Sequence, residues 1–160
     1  MIERICIVKI SENQCNSWQG SWPLISRINT KYNFVFMNEL ILKEESYRII
    51  GCCMEVYNNL GKGFLEIVYK DAIEYEFIKS NIPYKREKEF EIKYKNIILK
   101  HKFYADFIVF DKIILEVKSK KIIIDEYVKQ TLNYLTVTQL KLGLIVNFGE
   151  NSFKSKRIVL

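Results

Sequence analysis

The sequence predicts a single α/β domain: a small mixed β-sheet flanked by helices, in the order ααβββαββ. Three observations predict it. The chain has 160 residues, the size of one ordinary domain. At 49% hydrophobic and 28% charged it is too apolar for disorder and too polar for a membrane protein. Its apolar residues also switch between helical and strand spacing along the chain, without repeats or low-complexity linkers.

Residues 1–36 hold both tryptophans, Trp18 and Trp22, and show no sustained period. They read as a poorly patterned extension. Met37 stands where regular patterning begins, which marks it as an alternative start, with the domain proper at 38–160. The first helix is expected from Leu42 to Asn59, its stripe formed by Ile50, Cys53, Met54, Tyr57 and Leu60. Gly61-Lys62-Gly63 ends it. A second helix is expected from Phe64 to Ser80, with a stripe of Leu65, Val68, Tyr69, Ala72, Ile73 and Phe77. Asn81 and Pro83 stop it. The period then drops to two: Phe90, Ile92 and Tyr94 alternate with charges as a half-buried strand, and Lys95-Asn96 turns it back. Two apolar strands follow, Phe103–Phe110 and Ile113–Lys118, of the kind covered on both faces. A third helix is expected over Asp125–Gln139, a strand over Leu142–Asn147 and a short edge strand over Arg157–Leu160.

No run reaches the ~18 apolar residues of a membrane span, and Ile5–Val8 is too short for a secretory core. Cys6, Cys15 and the vicinal Cys52 and Cys53 make no disulfide framework. Reduced thiols and a cytoplasmic location are the expectation. With one histidine and no CxxC pair, any metal must be held by oxygen. The net charge is +6, a balance that lysine-rich bacterial codon usage also produces. Its distribution says more: Tyr84–Lys102 carries seven Lys/Arg against three Glu, and Lys118, Lys120 and Lys121 follow. A polyanion is the natural partner of such a surface.

Three charges stand where charges are costly. Asp106 interrupts one apolar strand, and Glu116 and Lys118 interrupt the next. Burial there is unfavourable unless the groups are paired or bind a metal. The turn decides whether they meet. A two-residue loop at Asp111-Lys112 sets Asp106 against Val117 and sends Glu116 to the other face. A three-residue loop or a bulge brings Asp106 opposite Glu116 or Lys118. A functional cluster thus requires the odd register; the alternative is a structural Asp–Lys pair with Glu116 exposed. Clustered, two carboxylates make a hard oxygen site for Mg²⁺ or Mn²⁺. An adjacent lysine orients or deprotonates a water, or offsets charge on a phosphate.

The motif Gly63-Phe64-Leu65-Glu66-Ile67-Val68-Tyr69 resembles that of the GxxExxY family, a branch of the PD-(D/E)XK nuclease superfamily. The resemblance runs on through Tyr104-Ala105-Asp106, Glu116-Val117-Lys118, Gln130 to Tyr134 and Leu142 to Gly149, in the expected order. It implies a restriction-endonuclease-like core at 38–160 and hydrolysis of phosphodiesters, DNA being favoured over RNA. Asp106 and Glu116 would be metal-binding carboxylates, with the Val117 carbonyl as a further ligand and Lys118 as the catalytic lysine. Glu66 would match an additional acid near the metal. Gln130 and Tyr134, on one helix face, would contact the substrate or brace the site, and Lys120 and Lys121 would track phosphates. Ala105 stands where the superfamily has proline, which carries neither charge nor proton.

Each residue has a plainer reading. Glu66 suits the positive end of its helix; Tyr69 shares a packing stripe; Gly61 and Gly63 punctuate backbone. A non-catalytic nucleic-acid-binding or protein-interaction module on the same fold is the alternative function. Nucleases that cut both strands often dimerise, which leaves a homodimer open.

Overall fold

The computed structural model describes residues 41–160. The expectations for 1–36 and for a start at Met37 lie outside the described residues, as do Cys6 and Cys15.

Helix α1 spans Lys43–Leu60, with Glu44 and Glu45 in the first turn, where acids meet the positive end of the helix dipole. It ends at Gly61, whose φ of 66° places it on the side of backbone space that glycine tolerates. The buried stripe is Ser46, Ile49, Cys52, Cys53 and Val56. The expected stripe is thus rotated: Ile50, Tyr57 and Leu60 flank the core, while Met54 is exposed. The sequence offers adjacent apolar pairs (Ile49-Ile50, Cys53-Met54, Val56-Tyr57), so two stripes one residue apart have the same period. Packing against the second helix selects between them. Cys52 and Cys53 are both free and buried, and burial pushes the Cys53 thiol upward.

Helix α2 spans Glu66–Lys79 and buries Tyr69, Ile73 and Phe77 as the spacing predicts. Leu65 departs from the expected stripe. It lies before the first helical residue, in extended backbone, and is 75% exposed.

The sheet has five strands, β1 (Tyr84–Tyr94), β2 (Ile97–Val109), β3 (Ile113–Lys118), β4 (Leu142–Asn147) and β5 (Lys154–Val159), in that spatial order. All neighbours are antiparallel except β3 and β4, which are parallel. Helix α3 (Asp125–Thr138) makes the crossover that a parallel pair requires. Lys95-Asn96 forms the two-residue turn between β1 and β2, with Lys95 at φ 52°. These two strands are longer than expected, and the outer part of their ribbon, which carries the lysine-rich stretch, is largely exposed.

Alternation divides β3 between two cores. Ile113, Leu115 and Val117 pack with Ile49, Tyr69, Ile73 and Phe77 from α1 and α2. Ile114 packs with Val128, Leu135 and Ile145 on the α3 side. Glu116 and Lys118 follow Ile114 at two-residue steps and so belong to the α3 side. Among the described residues no helix is long and apolar enough to cross a membrane.

Candidate active site

The β2–β3 turn settles the register. Val109 pairs with Ile113, so the loop is the three residues Phe110, Asp111 and Lys112. Phe110 and Asp111 both take positive φ, 57° and 55°, and the Lys112 N–H closes on the Val109 carbonyl at 3.1 Å. Such angles are uncommon outside glycine. Here Phe110 is braced by the Arg48 guanidinium, 5.2 Å from its ring centroid, and its N–H bonds the Pro83 carbonyl at 2.9 Å. Continuing the register one step past Phe107↔Leu115 sets Asp106 across from Glu116, as the clustered reading requires.

The main-chain ladder stops at that step. The Val117 N–H instead donates to Asp106 Oδ2 at 2.8 Å. Asp106 Oδ1 accepts from Lys70 Nζ at 3.2 Å, and Lys70 also bonds Glu87 at 3.0 Å. Glu87 itself has φ 48°, directly where β1 and β2 interrupt their pairing. Glu116 is 2% exposed, which rules out the alternative that left it in solvent. Its Oε2 accepts from Lys118 Nζ at 3.1 Å, while Oε1 is buried without a partner. Burial first, and then the Asp106 charge, push the Glu116 carboxyl up to about 7. Burial works against the charge on Lys118, but Glu116, Asp106 and Glu66 outweigh it and hold the ammonium above its usual range. Its Nζ also lies 5.5 Å from the Tyr127 ring centroid.

The remaining expected residues surround this cluster. Glu66, the first residue of α2, accepts the Ser119 N–H at 3.1 Å and lies 3.6 Å from Lys120 Nζ. It adjoins the strand end one residue beyond Lys118. Gln130 donates to the Tyr134 hydroxyl at 2.6 Å, and the Tyr134 ring stacks on Phe103 with centroids 4.2 Å apart. Burial first raises the Tyr134 hydroxyl, and Glu116 adds to the effect, as expected on the α3 side of the site. The Val117 side chain is buried in the opposite core. Lys120 and Lys121 are exposed beside a cleft that also meets Lys62.

Tyr69 explains why its motif has this shape. Its ring is buried and stacked on Phe148 at 4.3 Å, and its hydroxyl donates to the Gly61 carbonyl at 2.8 Å while accepting the Phe64 N–H. The tyrosine thereby fixes the loop that starts α2 at Glu66. Its role is packing and loop shape.

The sequence reading missed three residues. Lys70 follows Tyr69 and is four residues from Glu66, a spacing that puts both on one face of α2; that was the available signal. Asn147 ends an apolar strand as its one polar residue, yet it is fully buried. Its Oδ1 accepts the Lys120 N–H at 2.9 Å and its Nδ2 donates to the Lys120 carbonyl at 2.8 Å. At Gly149 any Cβ would fall 2.4 Å from the Lys120 carbonyl oxygen, so only glycine fits there. Together with the Phe148 N–H on the Lys118 carbonyl, at 2.8 Å, these contacts clamp the segment after β3.

No three His, Cys, Asp or Glu side chains among the described residues are grouped to hold a metal. The two-acid pair nevertheless suits a cation such as Mg²⁺, which keeps several waters and binds through one or two carboxylates plus substrate oxygens. A buried carboxylate oxygen without a donor, next to a second carboxylate, is the donor chemistry such an ion needs.

Fold and cluster together define an α/β domain with an acid and a lysine at the end of a central strand and a second acid across from them on its neighbour. Residues 43–158 match the family model of the PD-(D/E)XK nuclease superfamily, and the chain belongs to that superfamily. A solved structure titled "Crystal structure of SSO0001" is similar, with 21% identity and a TM-score of 0.48 over 74% of this chain. This chain spans 59% of that one. Among curated proteins no sequence matches. Members of the superfamily generally use divalent metals and act on nucleic acid.

Proposed function

We propose that this chain is a metal-dependent nuclease of the GxxExxY branch that hydrolyses phosphodiester bonds, in DNA rather than RNA. The observation that carries the reading is Glu116 Oε1, buried and partnerless beside Asp106. Asp106 and Glu116 would hold the cation, Mg²⁺ or Mn²⁺, with the Val117 carbonyl as a further donor and Glu66 as the additional acid at the edge of the site. A cation held there would supply positive charge to the phosphate oxygens and lower the pKa of a water beside it. Lys118, held charged by its neighbours, orients that water or neutralises charge developing on the phosphate. Gln130 and Tyr134 brace the α3 side and contact the substrate backbone, while Lys120 and Lys121 take adjacent phosphates. Asp106 does two jobs in this scheme: it presents a carboxylate and it caps the Val117 N–H, so the donor strand keeps its shape where the ladder has opened.

The test is cleavage of linear, nicked and single-stranded DNA, with an RNA control, in Mg²⁺ or Mn²⁺. Lys118→Ala is expected to lower the rate by about 10³-fold, the scale of removing one preorganised charge from a transition state. Asp106→Ala should lower it at least as far. Both variants are checked for folding by circular dichroism. Metal-independent cleavage, or cleavage that survives both substitutions, would overturn the proposal.

A further inference from the structure

Beside the acid–lysine cluster lies a cleft of about 520 Å³ whose lining mixes two chemistries. Lys62, Lys120 and Lys121 contribute ammonium groups, and Phe64 and Leu65 contribute apolar surface. Phe64 is 46% exposed and Leu65 75% exposed. Phe64 meets the buried Tyr69 ring only at its edge, with centroids 6.1 Å apart, and α2 begins after both residues and buries Tyr69, Ile73 and Phe77. The loop that presents them is nonetheless held firmly. The Tyr69 hydroxyl bonds Gly61 and Phe64 on one side, and the Ser119 hydroxyl donates to the Phe64 carbonyl at 2.8 Å on the other. Ser119 directly follows Lys118, and its N–H is the group that Glu66 accepts. The cleft therefore opens immediately beside the cluster, on a fixed edge.

We infer that this cleft receives a nucleic-acid strand whose bases are unpaired next to the bond being cut, with phosphates on the lysines and a base against Phe64 and Leu65. The inference rests on the nuclease reading and names its substrate class. A continuous duplex offers phosphates and groove edges to such a surface, but its base faces are stacked on one another. It offers base faces to an exposed phenylalanine and leucine only at its ends, or where a step is unstacked at a cost of a few kcal/mol. A single strand, a frayed end or a flap presents both chemistries at once, phosphate charge and free aromatic faces. The exposed apolar pair thus sits where it distinguishes such strands from intact duplex, and the lysines alone would not.

The experiment measures binding apart from cleavage. Fluorescence anisotropy in EDTA compares a labelled 20-nucleotide single strand with the blunt duplex of the same sequence. The full chain is used with Phe64→Ala, Leu65→Ala and Phe64→Trp. The expected result is about tenfold tighter binding of the single strand by the unaltered chain. Phe64→Ala should lose most of that preference, on the scale of one lost base stack, while duplex affinity stays within about twofold. Phe64→Trp should restore the preference, which a mere change of loop shape would not do. Equal binding of strand and duplex, or an equal loss of both in Phe64→Ala, would overturn the inference. The two readings can fail separately. Strand preference without metal-dependent cleavage keeps the cleft and removes the nuclease. Cleavage of intact duplex that ignores Phe64 keeps the nuclease and removes the cleft assignment.

Discussion

The β2–β3 hairpin has two ends built on opposite terms. At the turn, Val109↔Ile113, Ile108↔Ile114 and Phe107↔Leu115 pair through the backbone, and every side chain in those pairs is apolar and buried. One step further the backbone pairing stops, a carboxylate takes the place of a main-chain carbonyl, and a buried acid is left half satisfied. The same two strands thus close one end with apolar pairs and open the other around charged groups. The closed end is what allows the open end to hold two acids and a lysine in register, because its three-residue loop fixes which residues face each other.

That contrast can be broken by substitution. Leu115→Ala, at a fully buried position of the closed end, is expected to destabilise the chain by about 2–5 kcal/mol. The folded fraction should keep its activity per molecule; urea unfolding and cleavage of the same sample read both. A loss below about 1 kcal/mol would mean the closed end is not what secures the hairpin. Glu116→Gln tests the opposite sign. In the folded chain the Glu116 carboxyl sits near 7, against 4.5 for an unperturbed group. Between those values the folded state keeps a proton that the unfolded state has lost, so stability falls as pH rises through the window and levels off above it. The whole slope is on the order of 3 kcal/mol. In EDTA, Glu116→Gln should flatten that slope and make the chain about 1–3 kcal/mol more stable at pH 8. It should also abolish any rise in Tm on adding Mg²⁺ or Mn²⁺. An unchanged slope would locate the strain elsewhere. The smallest effect belongs to Asp111→Asn in the turn, which removes an exposed ion pair with Lys85. Asparagine accepts the left-handed backbone of that position, so a change within about 0.5 kcal/mol is expected by thermal unfolding. A larger one would show that the Asp111–Lys85 pair helps to hold the loop in its shape.

Much of this was legible in the sequence, for reasons that differ by residue. β3 and β4 occupy the expected residues because short apolar runs between turn signals leave little choice of boundary. The cluster was legible as a conditional: charges inside apolar strands needed an odd register, and the hairpin has it. The stripe of α1 was not legible, because neighbouring apolar residues make two phases equally periodic. The spacing of Lys70 from Glu66 was visible, but its partner and that of Asn147 were not. Those partners lie 36 and 27 residues away, a distance over which local pattern carries no information. Glu66 was legible as a helix-start acid, and only the Ser119 contact ties it to the strand end.

The clamp on Lys120 has a consequence for the order in which the molecule is made. Asp106, Glu116 and Lys118 are all synthesised before α3, but the segment after β3 takes its shape from Asn147, Phe148 and Gly149. Those arrive only after the crossover helix, through a parallel pairing of the kind that closes late because its contacts are far apart in sequence. A nascent chain that has reached Lys121 therefore owns every charged group of the cluster and the hairpin that sets Asp106 across from Glu116, but not the clamp on Lys118 and Lys120. The segment after β3 thus takes its final shape only once β4 and the residues after it have been made.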